Sequence, residues 1–289
     1  MKFRLENIKI RKDLNDNKII EIACEKFNIP INTVIQANIV KKSIDARDKA
    51  DIFYNYSIMV EINDKGLCDK LAKAKNVQAV DFEKQEILDG ITVSRKSNKR
   101  PVIIGAGPAG LFCALSMVEN GVKPIIIEQG KKVEERSKDV ELFRKEGILN
   151  TLSNVQFGEG GAGTFSDGKL TTNLHSPLCR TVIEQFVRFG APSQISYMNK
   201  PHIGTDNLIK ILANIRNYII EKGGTFLYNT KAENFTFNDG KVTEVICSNH
   251  NLETSNEKQD SKIVIDTDCV VLAIGHSSRD LFKTLHKKE

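Results

Sequence analysis

The chain has 289 residues, is 40% hydrophobic and 27% charged, and carries a net charge of +5, the makeup of an ordinary globular protein of about two domains. Acidic and basic residues are interspersed, which excludes a dedicated nucleic-acid or lipid surface. The six cysteines are scattered, without a C-x-x-C or a histidine at ligand spacing, so reduced thiols, no metal site and a cytoplasmic setting are expected. The first ten residues hold no apolar h-region, so no secretory signal is expected.

Residues 1–94 read as a domain of their own. Strands are expected over 3–10, 33–44, 51–62 and 77–82. Helices are expected over 18–27, with Ile19, Ile22, Ala23 and Phe27 on one face, and over 65–75. That order, β-α-β-β-α-β, is the ferredoxin-like α+β split unit, and it also fits RNA-recognition domains. Tyr54 and Tyr56, however, alternate in phase with Ile52, Ile58, Val60 and Ile62, which puts them on the face that packs against helices. The opposite face offers only Phe53 and Met59 among Asn55, Ser57 and Glu61, and no RNP1 string is present. A structural or protein-docking role is therefore favoured over base stacking. The basic run from Arg95 to Arg100 reads as a solvated hinge into a second domain over 95–289.

That second domain is organised around residues 101–128. Val102, Ile103 and Ile104 form a short apolar strand of the buried parallel type. Gly105, Gly107 and Gly110 then spell G-x-G-x-x-G, the turn that lets a pyrophosphate approach the backbone at a helix N-terminus. Leu111, Ala114, Leu115 and Val118 repeat at helical spacing until Asn120-Gly121. A second strand ends in Glu128, where a carboxylate can accept from ribose hydroxyls. Strand, turn, helix and acid together make a dinucleotide site the preferred reading. The uncharged stretch 101–118 has the length of a short membrane span, but its prolines and glycines break a helix where lipid would leave the backbone unpaired.

A helix is expected after Arg136, up to about Gly147. Residues 154–170 then hold five glycines, a backbone that must turn sharply or lie against a ligand. A P-loop is rejected there, because Leu170 follows Lys169 where Ser or Thr should stand. Further on, a helix over 183–189, an amphipathic helix over 205–221, a strand over 225–229, a hairpin over 235–248 turning at 238–240, a polar loop over 253–262 and a buried strand over 269–275 are expected. A short helix follows.

Together these stretches resemble the FAD-dependent flavoproteins with two dinucleotide-binding domains. More narrowly, the chain is similar to a bacterial family of uncharacterised FAD-dependent dehydrogenases. That likeness rests on Ser-Ile-Asp-Ala-Arg at 43–47, the glycine-rich segment 154–170, Pro-His-Ile-Gly-Thr-Asp at 201–206 and Ala-Ile-Gly-His-Ser at 273–277. The resemblance implies a Rossmann-like FAD-binding domain with a parallel sheet, incomplete at its C-terminus. It implies FAD as cofactor, an oxidoreductase activity on an unknown small molecule, and NAD(P)H as a candidate external donor. Carried over residue by residue, Gly105, Gly107, Pro108, Ala109 and Gly110 would face the pyrophosphate. Glu128 would bind the adenosine ribose, with Gln129 and Arg136 near it. Gly160, Gly161, Ala162, Gly163, Thr164, Ser166, Asp167, Gly168 and Lys169 would approach the ribityl chain and ring. Ala232 would meet the adenine, and Gly275 and His276 would close the pocket. Members of the family continue to about twice this length, well past one domain, so a partial chain that holds FAD weakly or not at all is expected. His175, His202 and His276 are candidate proton-transfer groups without an assigned role, and Lys169 and Glu159 are open. A flavin-fold scaffold whose N-terminal domain docks a protein or RNA is the alternative from another class.

Overall fold

The structure, a computed structural model, describes residues 1–80, 97–174, 176–249 and 262–287. The chain divides into two compact units. The first starts at Met1 and takes in Leu170–Val187 and Pro192–His202; the second holds the chain up to Lys169, Arg188–Ala191 and the chain from Ile203. Among the described residues, no helix is long and apolar enough to cross a membrane.

In the first unit β1 (Lys2–Ile10), α1 (Asp16–Lys26), β2 (Val34–Asp45), β3 (Phe53–Ile62), α2 (Lys65–Leu71) and β4 (Val77–Val80) follow in that order. The sheet runs β2-β3-β1-β4, all pairs antiparallel. A bulge between Leu5 and Ile8 keeps Phe3 and Leu5 on the same buried face as Ile8 and Ile10, although the spacing breaks period two there. Tyr56, Ile58, Val60 and Ile62 complete that face, with Tyr54 partly buried beside them, while Ile52 lies outside β3 and is exposed. Asn15 caps α1 by accepting from the Lys18 amide at 2.9 Å, and Asp64 caps α2 by accepting from Leu67 at 2.8 Å. The segment around Tyr197 is drawn to this unit by backbone pairing with β2. The Lys42 amide donates to the Tyr197 carbonyl, the Asn199 amide donates to the Lys42 carbonyl at 2.9 Å, and the Tyr197 hydroxyl donates to Asp16 at 3.2 Å. Two later segments therefore belong to the first unit. Residues 81–96, where the boundary was placed, lie outside the described residues.

The second unit has three layers. A parallel sheet, in the order β11-β5-β6-β7, is built from β5 (Val102–Ile104), β6 (Ile125–Ile127), β7 (Thr225–Leu227) and β11 (Val270–Leu272). Helices α3 (Pro108–Glu119), α4 (Val133–Glu146) and α6 (Thr205–Glu221) carry a second layer; α6 buries Leu208, Ile211, Leu212, Ile215 and Ile219. The third layer is the antiparallel sheet of β8 (Thr230–Asn238), β9 (Lys241–Asn249) and β10 (Lys262–Asp266). Its Phe235, Val245, Cys247 and Ile265 pack on Val102, Ile104 and Ile127, with Leu281 of α7 (Arg279–His286). Each such side chain contributes about 1.5–3 kcal/mol when fully buried. The β8–β9 hairpin turns on Asp239 and Gly240, both at positive φ, the two-residue turn that matches strand twist.

Several expectations shift here. The hairpin begins at Thr230 rather than 235, because Ala232 and Lys231 already pair with β9. The helix expected at 183–189 is α5 (Pro177–Arg188), six residues earlier at its start. Arg100 is no hinge residue: it donates to the Lys123 and Pro124 carbonyls, both at 2.9 Å, and to the Thr225 hydroxyl at 2.8 Å. The polar loop over 253–262 falls outside the described residues, except for Lys262, which opens β10.

Candidate functional site

Three short parallel strands end together, and the turns that leave them enclose a cleft of about 820 Å3, within the range of about 300–1,000 Å3 usual for small-molecule sites. Its floor is the G-x-G-x-x-G turn. Gly105 has φ +103°, and a Cβ there would lie 2.4 Å from the Ala273 carbonyl oxygen. At Gly110 a Cβ would lie 1.9 Å from the Gly105 oxygen. Packing of β5, α3 and the end of β11 thus demands both glycines. Gly107 is different. Its φ of −73° suits any residue, and the nearest atom to a Cβ there is the Gly161 Cα, at 3.9 Å across the cleft. No protein atom requires a glycine at 107, so the open space in front of it is what the missing side chain keeps clear. Behind it, the first-turn N–H groups of α3 precede any intrahelical acceptor and give the helix a positive end. These residues fit an adenine dinucleotide phosphate.

Glu128, at the end of β6, is buried. One carboxylate oxygen accepts from the Ala106 amide and the other from the Gly130 amide, each at 2.9 Å. Charge-assisted bonds of this kind contribute about 1.5–3 kcal/mol each, so the acid first ties the glycine turn to the neighbouring strand. It still lines the cleft, and each oxygen keeps a second lone pair for a ligand hydroxyl.

Of the residues expected from sequence, Gly105, Gly107, Pro108, Ala109, Glu128, Gln129, Gly161, Ala162, Ala232, Gly275 and His276 line this cleft. The rest do not. Gly110 is sealed under Gly105. Gly160 faces Thr164 and Leu212. After Ala162 the chain winds into a short 3-10 turn (Ala162–Phe165) that buries Thr164 and carries Gly163. Ser166 and Gly168 then hand their carbonyls to Thr205 and Ile203 at the start of α6. Asp167 and Lys169 pair with each other at 2.8 Å, both exposed.

Arg136 is the clearest correction. Placed beside the ribose by resemblance, its side chain is instead fully buried behind the loop, 0% exposed. It donates to four carbonyls: Asn154 at 2.8 Å, Val155 at 2.9 Å, Gly158 at 3.2 Å and Glu159 at 2.6 Å. The guanidinium also stacks over Phe165, 4.9 Å from the ring centre. Burial pulls its pKa down to about 10, against the nearby charges of Glu128 and Glu159.

Sequence reasoning missed part of the wall. Thr151, Leu152, Gln156 and Phe157 line one side, and Ser277 through Phe282 the other. The Gln156 amide donates to the Ser277 hydroxyl, which lies 3.3 Å from the His276 Nε2. Leu272 and Phe282 leave 47% and 48% of their surface open, an exposure at a cleft that only the fold displays. Of the other candidate proton-transfer groups, His202 belongs to the first unit and is exposed, and His175 lies outside the described residues.

Two families match separate stretches of the chain. A domain of unknown function matches residues 3–61. The pyridine nucleotide-disulphide oxidoreductase family matches residues 99–288. A Clostridium beijerinckii protein described as uncharacterized is 38% identical over 288 residues, 100% of this chain and 51% of the relative. The chain thus spans about half the length of the curated relative it matches. Among solved structures, the Thermovibrio ammonificans THI4 is 16% identical with a TM-score of 0.42, covering 66% of this chain and 62% of that one. The Bacillus halodurans glycerol-3-phosphate dehydrogenase complexed with FAD is 15% identical with a TM-score of 0.41, covering 65% and 36%. With its profile covering every strand of the parallel sheet and every turn of the cleft, the chain belongs to the pyridine nucleotide-disulphide oxidoreductase family.

Proposed function

We propose that this chain carries the FAD-binding half of an FAD-dependent oxidoreductase acting on a small molecule, with NAD(P)H as the external donor. The observation that carries the reading is Gly107, a glycine that no protein contact explains, facing a cleft of about 820 Å3 at a helix N-terminus. In this reading the α3 amides and Gly107 receive the pyrophosphate, Glu128 accepts from ribose hydroxyls, and the Ala232 main chain meets the adenine. Bound FAD supplies hydride and electron transfer, while the protein orients it and keeps out water. Gly161 and Ala162 line the cleft opposite Gly107 and would bound the pyrophosphate on that side. His276 and Ser277 stand in the same wall and can pass a proton between them.

The first unit supports a ferredoxin-like assignment through its strand order β2-β3-β1-β4 and its two crossing helices. Docking of a protein partner is its proposed role.

Titrating the chain with FAD and following flavin fluorescence tests the central claim. Saturable quenching is expected, with an affinity weak enough for the cofactor to be lost on desalting. No saturable change up to about 1 mM, an interaction weaker than about 4 kcal/mol, would overturn it.

A further inference from the structure

Behind the cleft wall lies a buried charge cluster that the proposed function leaves without a task. Glu159 is fully buried, 0% exposed. Its Oε2 accepts from the Val133 amide at 2.8 Å and from Arg216 at 2.7 Å, and its Oε1 accepts from the Tyr228 hydroxyl at 2.8 Å. Arg216 also grips both oxygens of Glu134, at 3.0 and 2.6 Å. The partners come from α4, from α6 and from the residue after β7. Burying a carboxylate costs several kcal/mol even after relaxation, and an apolar residue of similar volume is often at least as stable. The directional bonds are therefore the reason for an acid here, not packing.

What those bonds hold is the glycine loop. Glu159 sits between Gly158 and Gly160, which have no side chains to anchor them. The Glu159 amide donates to the Lys131 carbonyl at 3.1 Å, and the Gly160 amide donates to the Ala106 carbonyl at 2.8 Å. One residue further, Gly161 stands opposite Gly107. We propose that Glu159 is a positioning residue of the cleft, whose carboxylate, held by Val133, Arg216 and Tyr228, sets the distance of the glycine loop from Gly107 and so the fit of the cofactor. This rests on the cleft being a dinucleotide site.

Burial raises the pKa of Glu159, and Arg216, the Val133 amide and the Tyr228 hydroxyl pull it back down in part. Burial opposes the charge on Arg216, yet its bond to Glu134 and the field of Glu159 keep its pKa above the ordinary value. Burial likewise raises the Tyr228 hydroxyl, and the adjacent Glu159 raises it further, so the phenol stays a donor.

The test compares the wild-type chain with Glu159→Gln, Tyr228→Phe and, as a control for general destabilisation, Val245→Ala in the antiparallel sheet. Two quantities are read: FAD affinity by fluorescence titration and hydrogen exchange of the Gly160 amide. Glu159→Gln is expected to weaken FAD about tenfold, the equivalent of one charge-assisted bond, and to speed exchange at Gly160. Tyr228→Phe is expected to shift both in the same direction by less, and it carries the comparison alone if Glu159→Gln does not fold. Val245→Ala lowers the melting temperature and leaves both readings unchanged. Wild-type affinity and wild-type protection in Glu159→Gln and Tyr228→Phe would overturn the proposal. If the wild-type chain itself fails to bind FAD, the proposed function falls. Exchange at Gly160 then decides the positioning role by itself, with unchanged protection in the variants overturning it.

Discussion

The two glycine-rich turns of the cleft are both tightly packed, but their charged anchors differ in reach. At 105–110 the backbone is fixed by contact: Gly105 and Gly110 touch Ala273 and each other so closely that a single methyl group has no room. At 158–162 contact is as close, with a Cβ on Gly158 falling 2.4 Å from Arg136 and one on Gly160 2.3 Å from Thr164, and the guanidinium of Arg136 and the carboxylate of Glu159 add charged anchors. Contact makes a turn that is stiff and intolerant of added volume. The charged anchors of the second turn tie its position to groups far away in the chain, whereas Glu128, the anchor of the first, lies at the end of the next strand.

The largest effect should come from removing the charge that carries the second turn. Arg136→Met preserves much of the volume but leaves the carbonyls of Asn154, Val155 and Glu159 without the guanidinium, while Gly158 keeps only the Gly161 amide at 3.1 Å. A loss of about 3–5 kcal/mol is expected, read by urea denaturation of the chain. A loss under about 1 kcal/mol would mean that the loop holds itself, and the contrast between the turns would collapse.

Next comes the first turn. In Gly110→Ala the new methyl group meets the Gly105 carbonyl oxygen at 1.9 Å, so α3 must lift away from β5. Overpacking of this kind costs about 1–3 kcal/mol and occasionally more; the upper end is expected because the clash is with backbone, which cannot rotate aside. Gly107→Ala is the informative partner. With φ at −73° and no atom nearer than 3.9 Å, it should cost only the preference for glycine over alanine at an N-cap, about 0.5–1 kcal/mol, while weakening FAD about tenfold, near 1.4 kcal/mol. Stability and affinity would then separate cleanly between two glycines three residues apart. Equal FAD affinity in Gly107→Ala would remove the main support for the cofactor.

These contrasts also explain which features could be read in advance. The first turn was legible because its causes are local: strand, glycines, helix and Glu128 all fall within one stretch of chain. The glycines of the second turn were equally visible, but their direction was not. Arg136, Thr205 and Ile203 draw residues 163–169 away from the cleft, and nothing in the spacing of those residues ties them to the loop. Arg136 was misplaced for the same reason, since a charged residue near a motif suggests a ligand whereas its actual partners are carbonyls. The strand β10 escaped because its short polar-flanked sequence acquires meaning only beside β9, although Ile263 and Ile265 alternate as a strand requires. The return of the Tyr197 segment to the first unit depends on backbone bonds to Lys42, which leave no residue pattern at all.

The smallest effect tests the outer edge of the charge cluster. Glu134 lies at the start of α4 and shares Arg216 with Glu159, and the hydrogen bond to Arg216 holds its carboxyl below the ordinary value, against the pull of burial. Its side chain is 48% exposed, so solvent screens most of the gain, and about 0.5 kcal/mol is what an exposed pair of this kind contributes. The sign follows from proton binding. As pH falls, the unfolded chain takes up the proton first, because its pKa is the higher one. The contribution is therefore complete above the ordinary carboxylate pKa and is lost as pH falls through the lower folded value. Glu134→Gln should accordingly be less stable than the wild-type chain by about 0.5 kcal/mol at neutral pH, and the gap should close in acid. The glycine loop should keep its position in this variant, because Glu159 still receives Val133, Tyr228 and Arg216. A Glu134→Gln chain with rapid Gly160 exchange would instead place the anchor of the second turn at the surface of the cluster rather than at its buried centre.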